Sequence, residues 1–199
     1  MPHETMSQET RRPTPRLDPR SPLVLDTREL GRRPGSMRSV SRSVPAPPHL
    51  GVAVLGVTQG SELALDLRLE SVVEGVLVSG TVTATVVGEC VRCLDPVSRP
   101  LVVDLQELYT YPGREPEVHR SRGEDLDEDP GELPVLAGDL LDLEPVLRDS
   151  VVLALPLKPL CREDCPGLCP ECGARLKANP DHRHEQIDAR WAILRDLTD

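Results

Sequence analysis

The sequence predicts an α+β fold: an antiparallel β-sheet with one covering helix, a knuckle-like Cys/His segment and a C-terminal helix. Three observations carry this expectation. Residues 63–111 alternate apolar and polar with period two, the signature of strands with one buried face. From Asp139 the apolar period lengthens to that of a helix, with Leu140, Leu143, Leu147, Val151 and Ala154 on one side. The stretch CREDCPGLCPECGARLKANPDHRH, residues 161–184, then gathers four of the six cysteines and two of the five histidines.

Taken in order, residues 1–20 read as a disordered tail, charged, Pro-rich and aperiodic. Residues 21–160 read as a β-rich core domain. It opens with Leu23-Val24-Leu25, long enough for one edge strand. An arm over 26–42 follows, carrying Arg28, Arg32, Arg33 and Arg38 around Gly31, Pro34 and Gly35. Guanidinium groups on such a turn suit phosphates, while composition alone favours a solvated loop. Residues 44–50, VPAPPHL, read as a linker or turn. Leu63, Leu65, Leu67 and Leu69 then form one strand face. After a turn at Glu74-Gly75, Val76, Val78, Gly80, Val82, Ala84 and Val86 form another. That second run leads into Cys90-Val91-Arg92-Cys93, so the first CxxC sits at a strand end. A third strand runs from Val97 to near Tyr111. Residues 112–132 read as an acidic loop, with His119 exposed.

Asp142 suits the N-cap of a helix starting at Leu143, with Pro145 tolerated in the first turn and Pro156 ending it. Residues 155–160 run extended into the third region, 161–199. There the Cys/His segment is followed by a last helix, Glu185 to Leu197, with Ile187, Trp191, Leu194 and Leu197 on one face. Packing must be aliphatic, because the chain has no Phe and its aromatics are Tyr109, Tyr111 and Trp191.

The net charge of −10 is uneven: residues 1–49 carry +4 and residues 50–199 carry −14. No stretch reaches the roughly 18 apolar residues of a membrane helix, and no apolar leader is visible, so the expectation is a cytoplasmic protein without a membrane partner. In a reducing compartment clustered cysteines favour metal over disulfides. Cys169-Pro170-Glu171-Cys172-Gly173 has the form of a zinc knuckle, two thiolates turned onto one ion with Gly allowing positive φ.

Eight side chains qualify as ligands: Cys90, Cys93, Cys161, Cys165, Cys169, Cys172, His182 and His184. Zinc takes four, so one or two ions are expected. The sets left open are Cys169/Cys172/His182/His184 with Cys90/Cys93/Cys161/Cys165, the local quartet Cys161/Cys165/Cys169/Cys172, and the two CxxC pairs joined. Any such shell leaves no position for an activated water, so the site is expected to be structural and the protein no enzyme.

Several motifs in order resemble the YceD-like large ribosomal RNA subunit accumulation proteins. They are Asp26-Thr27-Arg28-Glu29-Leu30 with Arg32-Arg33-Pro34-Gly35-Ser36-Met37-Arg38, Cys90-Val91-Arg92-Cys93-Leu94, Asp142-Leu143-Glu144-Pro145, Leu153-Ala154-Leu155-Pro156, Cys165 to Gly173, and Ile187-Asp188-Ala189-Arg190-Trp191. The resemblance spans about Leu23 to Leu197. It implies a non-enzymatic factor for ribosomal RNA accumulation and ribosome assembly, with a large-subunit precursor, rRNA or a ribosomal protein as partner and no small-molecule substrate. It also favours His182 and His184 as ligands, since some members carry a Cys-x-Cys pair there. Arg28, Arg32, Arg33 and Arg38 are the expected RNA or ribosome contact. Two competitors remain: a zinc-stabilised protein-interaction module acting on a transcription or assembly partner without RNA contact, and a thiol redox enzyme using Cys90 and Cys93. No helix pattern follows that CxxC to lower a thiol pKa, which ranks the redox reading last.

Overall fold

The alternating runs are strands in the computed structural model, which describes residues 17–114 and 133–184. In chain order the elements are β1 (Val24–Asp26), β2 (Met37–Pro45), β3 (Leu50–Val52), β4 (Leu55–Val57), β5 (Glu62–Ser71), β6 (Gly75–Glu89), β7 (Pro96–Thr110), β8 (Leu140–Asp142) and α1 (Glu144–Ala154). A six-stranded sheet runs β2-β5-β6-β4-β3, and β7 also pairs with β6. β1 and β8 form a separate antiparallel pair, Leu25 opposite Leu141.

Alternation sets which way each strand faces. Leu63, Leu65, Leu67 and Leu69 of β5 are buried, as are Val76, Val78, Val82, Ala84 and Val86 of β6. Antiparallel register places Leu65 opposite Val82 and Leu69 opposite Val78, so both faces point the same way. Leu143, Leu147, Val151 and Leu155, four residues apart, bring the helix into the same core. Leu143 stands at the N-cap with helical dihedrals and no side-chain cap of its own, and from the residue before it Asp142 Oδ1 accepts from the Glu144 N–H at 3.0 Å. Tyr109 and Tyr111 are buried with their hydroxyls satisfied: Tyr109 donates to Asp142 O at 2.8 Å, and Tyr111 Oη lies 3.2 Å from Ser71 Oγ.

The structure departs from expectation in four places. β2 occupies the second half of the arm, pairing Met37–Pro45 with β5. Its alternation is disguised because Arg38 and Arg42 share a face with Val40 and Val44. Residues 44–50 hold the expected turn, at Pro48-His49, but are no linker: Val44, Ala46 and Leu50 are core residues. β3 and β4 make a small hairpin at 50–57. Leu140 lies in β8, where its backbone pairs with Asp26, so the helix does not reach back to it. The expected C-terminal helix lies outside the described residues, as do 1–16 of the tail and 115–132 of the acidic loop with His119.

The chain divides into two compact units. The first comprises the chain to Val87 and Ser98–Pro156; the second comprises Gly88–Val97 and the chain from Leu157. Each has its own core. The first is the aliphatic cluster just described, and the second is Cys90, Cys93, Val97 and Cys165 with Leu160 packed against them.

In the first unit Gly80 stands opposite Leu67 with φ +144°, and a Cβ there would lie 2.2 Å from Asp66 O and 2.8 Å from Leu67 Cα. Gly60 also has positive φ, +78°, but open space around it. Gly80→Ala is expected to lose about 3 kcal/mol by urea unfolding and Gly60→Ala only about 1 kcal/mol, the conformational part alone. Equal losses would show that the close approach of β5 is not what requires glycine at position 80.

Candidate metal centres

Two turns of the same construction supply the cysteine pairs, although no repeat is evident in the sequence. At Cys90-Val91-Arg92-Cys93-Leu94-Asp95, the Cys90 N–H donates to Asp95 O at 2.8 Å and the Leu94 N–H to Cys90 O at 2.9 Å. At Cys169-Pro170-Glu171-Cys172-Gly173-Ala174, Cys169 donates to Ala174 O at 2.8 Å and Gly173 to Cys169 O at 2.9 Å. The fifth residue is left-handed in both, Leu94 at φ 60° and Gly173 at φ 72°. This closure folds the third and fourth backbone N–H groups over the first sulfur, which is the environment a thiolate needs.

The structure divides the eight predicted ligands into two quartets. Cys90, Cys93, Cys161 and Cys165 form one; Cys169, Cys172, His182 and His184 form the other. Within each, four ligand atoms lie within 4.8 Å of one another. The local quartet Cys161/Cys165/Cys169/Cys172 and the joined CxxC pairs are not assembled. In the first quartet Cys90 Sγ and Cys165 Sγ are 3.8 Å apart, and Cys93 Sγ and Cys161 Sγ 3.6 Å. Sulfurs at the corners of a tetrahedron with bonds of about 2.3 Å are separated by roughly 3.8 Å, so the spacing suits zinc. In the second, Cys172 Sγ lies 3.2 Å from the Nε2 of both His182 and His184, which are 2.9 Å from each other. The imidazoles meet edge-on at 83°, so that both Nε2 atoms converge on one point.

The electrostatics of the quartets fit a cation. Burial works against ionisation of Cys90, but the backbone N–H groups of Cys161, Arg92 and Cys93 outweigh it and hold its thiol down to about 6. Those of Cys172 and Glu171 do the same for Cys169, again to about 6. Once one sulfur of a crowded group carries charge, its neighbours resist. The backbone at Asp95 favours the Cys93 thiolate, but burial and the sulfurs of Cys165, Cys90 and Cys161 push it up to about 12. Burial and Cys165 raise Cys161 as well.

Charged groups that spacing alone did not single out surround the quartets. Glu171 Oε2 lies 3.3 Å from His184 Nδ1, which orients that ring with Nε2 inward. Asp95 pairs with Arg175, which lowers the Asp95 carboxyl. A charge inside a knuckle carries no distinguishing pattern in sequence, because most such residues are simply solvated.

The predicted arm sits in the first unit. Arg28 Nε donates to both oxygens of Asp26, at 3.0 and 2.9 Å, and holds that carboxyl down to about 2. Arg32 meets Asp139 at 3.1 Å and stacks over the Tyr111 ring, 5.1 Å from its centre. Arg38 meets Glu29 at 3.1 Å, and Arg33 is exposed.

Elemental analysis of natively purified protein is expected to find two tightly held transition-metal ions per chain. Chelation should speed amide exchange at 88–97 and 157–184 while sparing β5 and the 98–110 part of β7. Equal exchange with and without metal would remove the structural role. Near neutral pH the raised thiols of Cys93 and Cys161 carry protons that an ion must displace, so affinity should rise with pH through this range and fall with acid. Calorimetry in buffers of different ionisation heats should detect at least those two protons released.

Residues 78–198 match the family described as large ribosomal RNA subunit accumulation protein YceD, a span that holds all eight candidate ligands and leaves out the arm. An uncharacterized protein of Mycobacterium tuberculosis is 47% identical over 182 residues, 92% of this chain and 84% of its own length. One from Mycobacterium bovis matches equally, and one from Mycobacterium leprae is 43% identical over 177 residues, 89% of this chain and 78% of its own. No solved structure matches. The chain belongs to the YceD family of large ribosomal RNA subunit accumulation proteins.

Proposed function

We propose that the protein is a non-enzymatic accessory factor for accumulation of large-subunit ribosomal RNA and assembly of that subunit, built around one structural zinc ion in each quartet. The observation that supports this reading best is that the family match encloses both quartets, so the same stretch carries the family assignment and the candidate metal sites. Zinc is the ion of choice because the donors are thiolates and imidazoles, and the sulfurs of the first quartet stand at tetrahedral spacing. When bound, the ion supplies a cross-link and charge neutralisation. Four protein ligands fill its shell, leaving the protein to act by binding rather than by turnover.

The partner is a large-subunit precursor, contacted through its RNA or through a ribosomal protein, in the cytoplasm. Among the described residues no helix is long and apolar enough to cross a membrane. For direct RNA contact the arm is the candidate, with Arg28, Arg32, Arg33 and Arg38 meeting phosphates. One observation favours a second reading, a zinc-stabilised module that touches only protein. Arg28, Arg32 and Arg38 are already paired with Asp26, Asp139 and Glu29, so phosphate must displace a carboxylate at each.

Sedimentation of a tagged copy tests both. The wild-type protein should travel with large-subunit precursors, and changing the four arginines to Glu should release it. Absence of the wild-type protein from precursor fractions defeats the proposal. Undiminished co-sedimentation of the variant, with crosslinks in cells to protein and none to RNA, establishes the second reading.

A further inference from the structure

We propose that the two quartets are coupled: closing Cys90, Cys93, Cys161 and Cys165 on an ion raises the metal affinity of Cys169, Cys172, His182 and His184. This rests on the reading that each quartet holds an ion, and goes beyond it. The quartets are built differently. The second draws all its ligands from residues 169–184, whereas the first joins a turn at 90–93 to residues 161 and 165 far along the chain. Only the first can therefore fix where the later segment begins.

Four links run from the first turn to the ribbon that carries the second quartet. Arg92 Nη1 donates to Cys165 O at 2.9 Å, holding the last ligand of the first quartet from outside. The Leu168 N–H donates to Arg92 O at 3.1 Å, fixing the residue just before Cys169. Between them Gly167 passes over Arg92 at φ +80°, where a Cβ would stand 3.1 Å from Arg92 O. Beyond the second turn, Arg175 pairs with Asp95. Leu168 and Arg175 bridge to each other, so the first turn grips both sides of the loop from Cys169 to Ala174.

Cys169 and Cys172 are thus held in place only when Cys161 and Cys165 are seated on the first turn. That turn joins the paired strands β6 and β7 and is left-handed at Leu94; among the described residues, Val97 and Leu160 are the apolar side chains clustered with its cysteines. An ion in the first quartet would tie residues 161 and 165 to it. The ordering entropy of the ribbon is then met before the second ion arrives, which is positive cooperativity.

Cobalt(II) serves as the probe, because its visible spectrum distinguishes a four-thiolate shell from one with two imidazoles. In the full chain the four-thiolate spectrum should appear first. Cys161→Ser, at an exposed ligand, should abolish that spectrum and weaken cobalt binding at the second quartet about tenfold or more. Arg175→Gln breaks one surface pair, and such pairs contribute little, so it should weaken the second quartet about threefold and leave the first unchanged. The charge swap Asp95→Arg with Arg175→Asp should recover most of that loss, as a merely disrupted fold would not. If Cys161→Ser fails to fold, Arg175→Gln and the swap decide. Unchanged second-quartet affinity in every folded variant overturns the coupling while leaving two metal sites. Absence of cobalt binding at either quartet overturns both.

Discussion

Sulfur crowding is the constraint on which the second unit depends. Four thiols brought within 4.8 Å form a group that cannot all ionise together in the absence of a cation. The opposing shifts of Cys90, held down, and Cys93, pushed up, express that tension. A divalent ion would resolve it by neutralising the thiolates and fixing their spacing. The first unit needs no such device, since its strands and helix bury a continuous aliphatic core. Among the described residues of the second unit, Val97 and Leu160 are the apolar side chains clustered with its cysteines, a small area to hold its loops. Metal binding in zinc-finger peptides, on the order of 10–16 kcal/mol, is large enough to replace such a core.

Much of the sheet was legible because β5, β6 and β7 bury one face each, and burial writes period two directly into the residues. β2 was not, because Arg38 and Arg42 stand where apolar residues would have marked a face. There they donate to backbone carbonyls, Arg38 to Asp26 O and Arg42 to Pro22 O. An edge strand can carry long cations whose heads reach other polar groups, so hydropathy understates it. β8 was hidden by length: three residues hold no period, and Leu140 fits a helix stripe as well as a strand.

The candidate ligands were legible as residue types and illegible as sets. Spacing alone allows Cys169 and Cys172 to join His182 and His184, or Cys161 and Cys165, or the distant Cys90 and Cys93. The choice depends on where the chain after α1 returns, which is a tertiary fact with no local signature. The kinship of the two turns was masked by one residue. Gly173 announces a left-handed position and Leu94 does not, although its φ of 60° is nearly the same. Such a conformation is unfavourable for Leu by roughly 1–2 kcal/mol. It persists where surroundings over-determine it, as two backbone hydrogen bonds and two buried cysteines do here.

The arm and the acidic charge of the chain are one problem seen at two scales. A protein of net charge −10 meets repulsion on approaching RNA unless it concentrates cations locally. The arm does concentrate them, yet the fold pairs three of its arginines with carboxylates. Those pairs are surface-exposed, and such pairs add little stability. Their exchange for phosphate is therefore cheap on the protein side, and the displaced acids Asp26, Glu29 and Asp139 would then oppose the ligand. Binding through the arm would thus be weak unless those carboxylates found other partners, such as the basic groups of a ribosomal protein. This argument favours a composite surface of RNA and protein over bare RNA as what the arm would recognise.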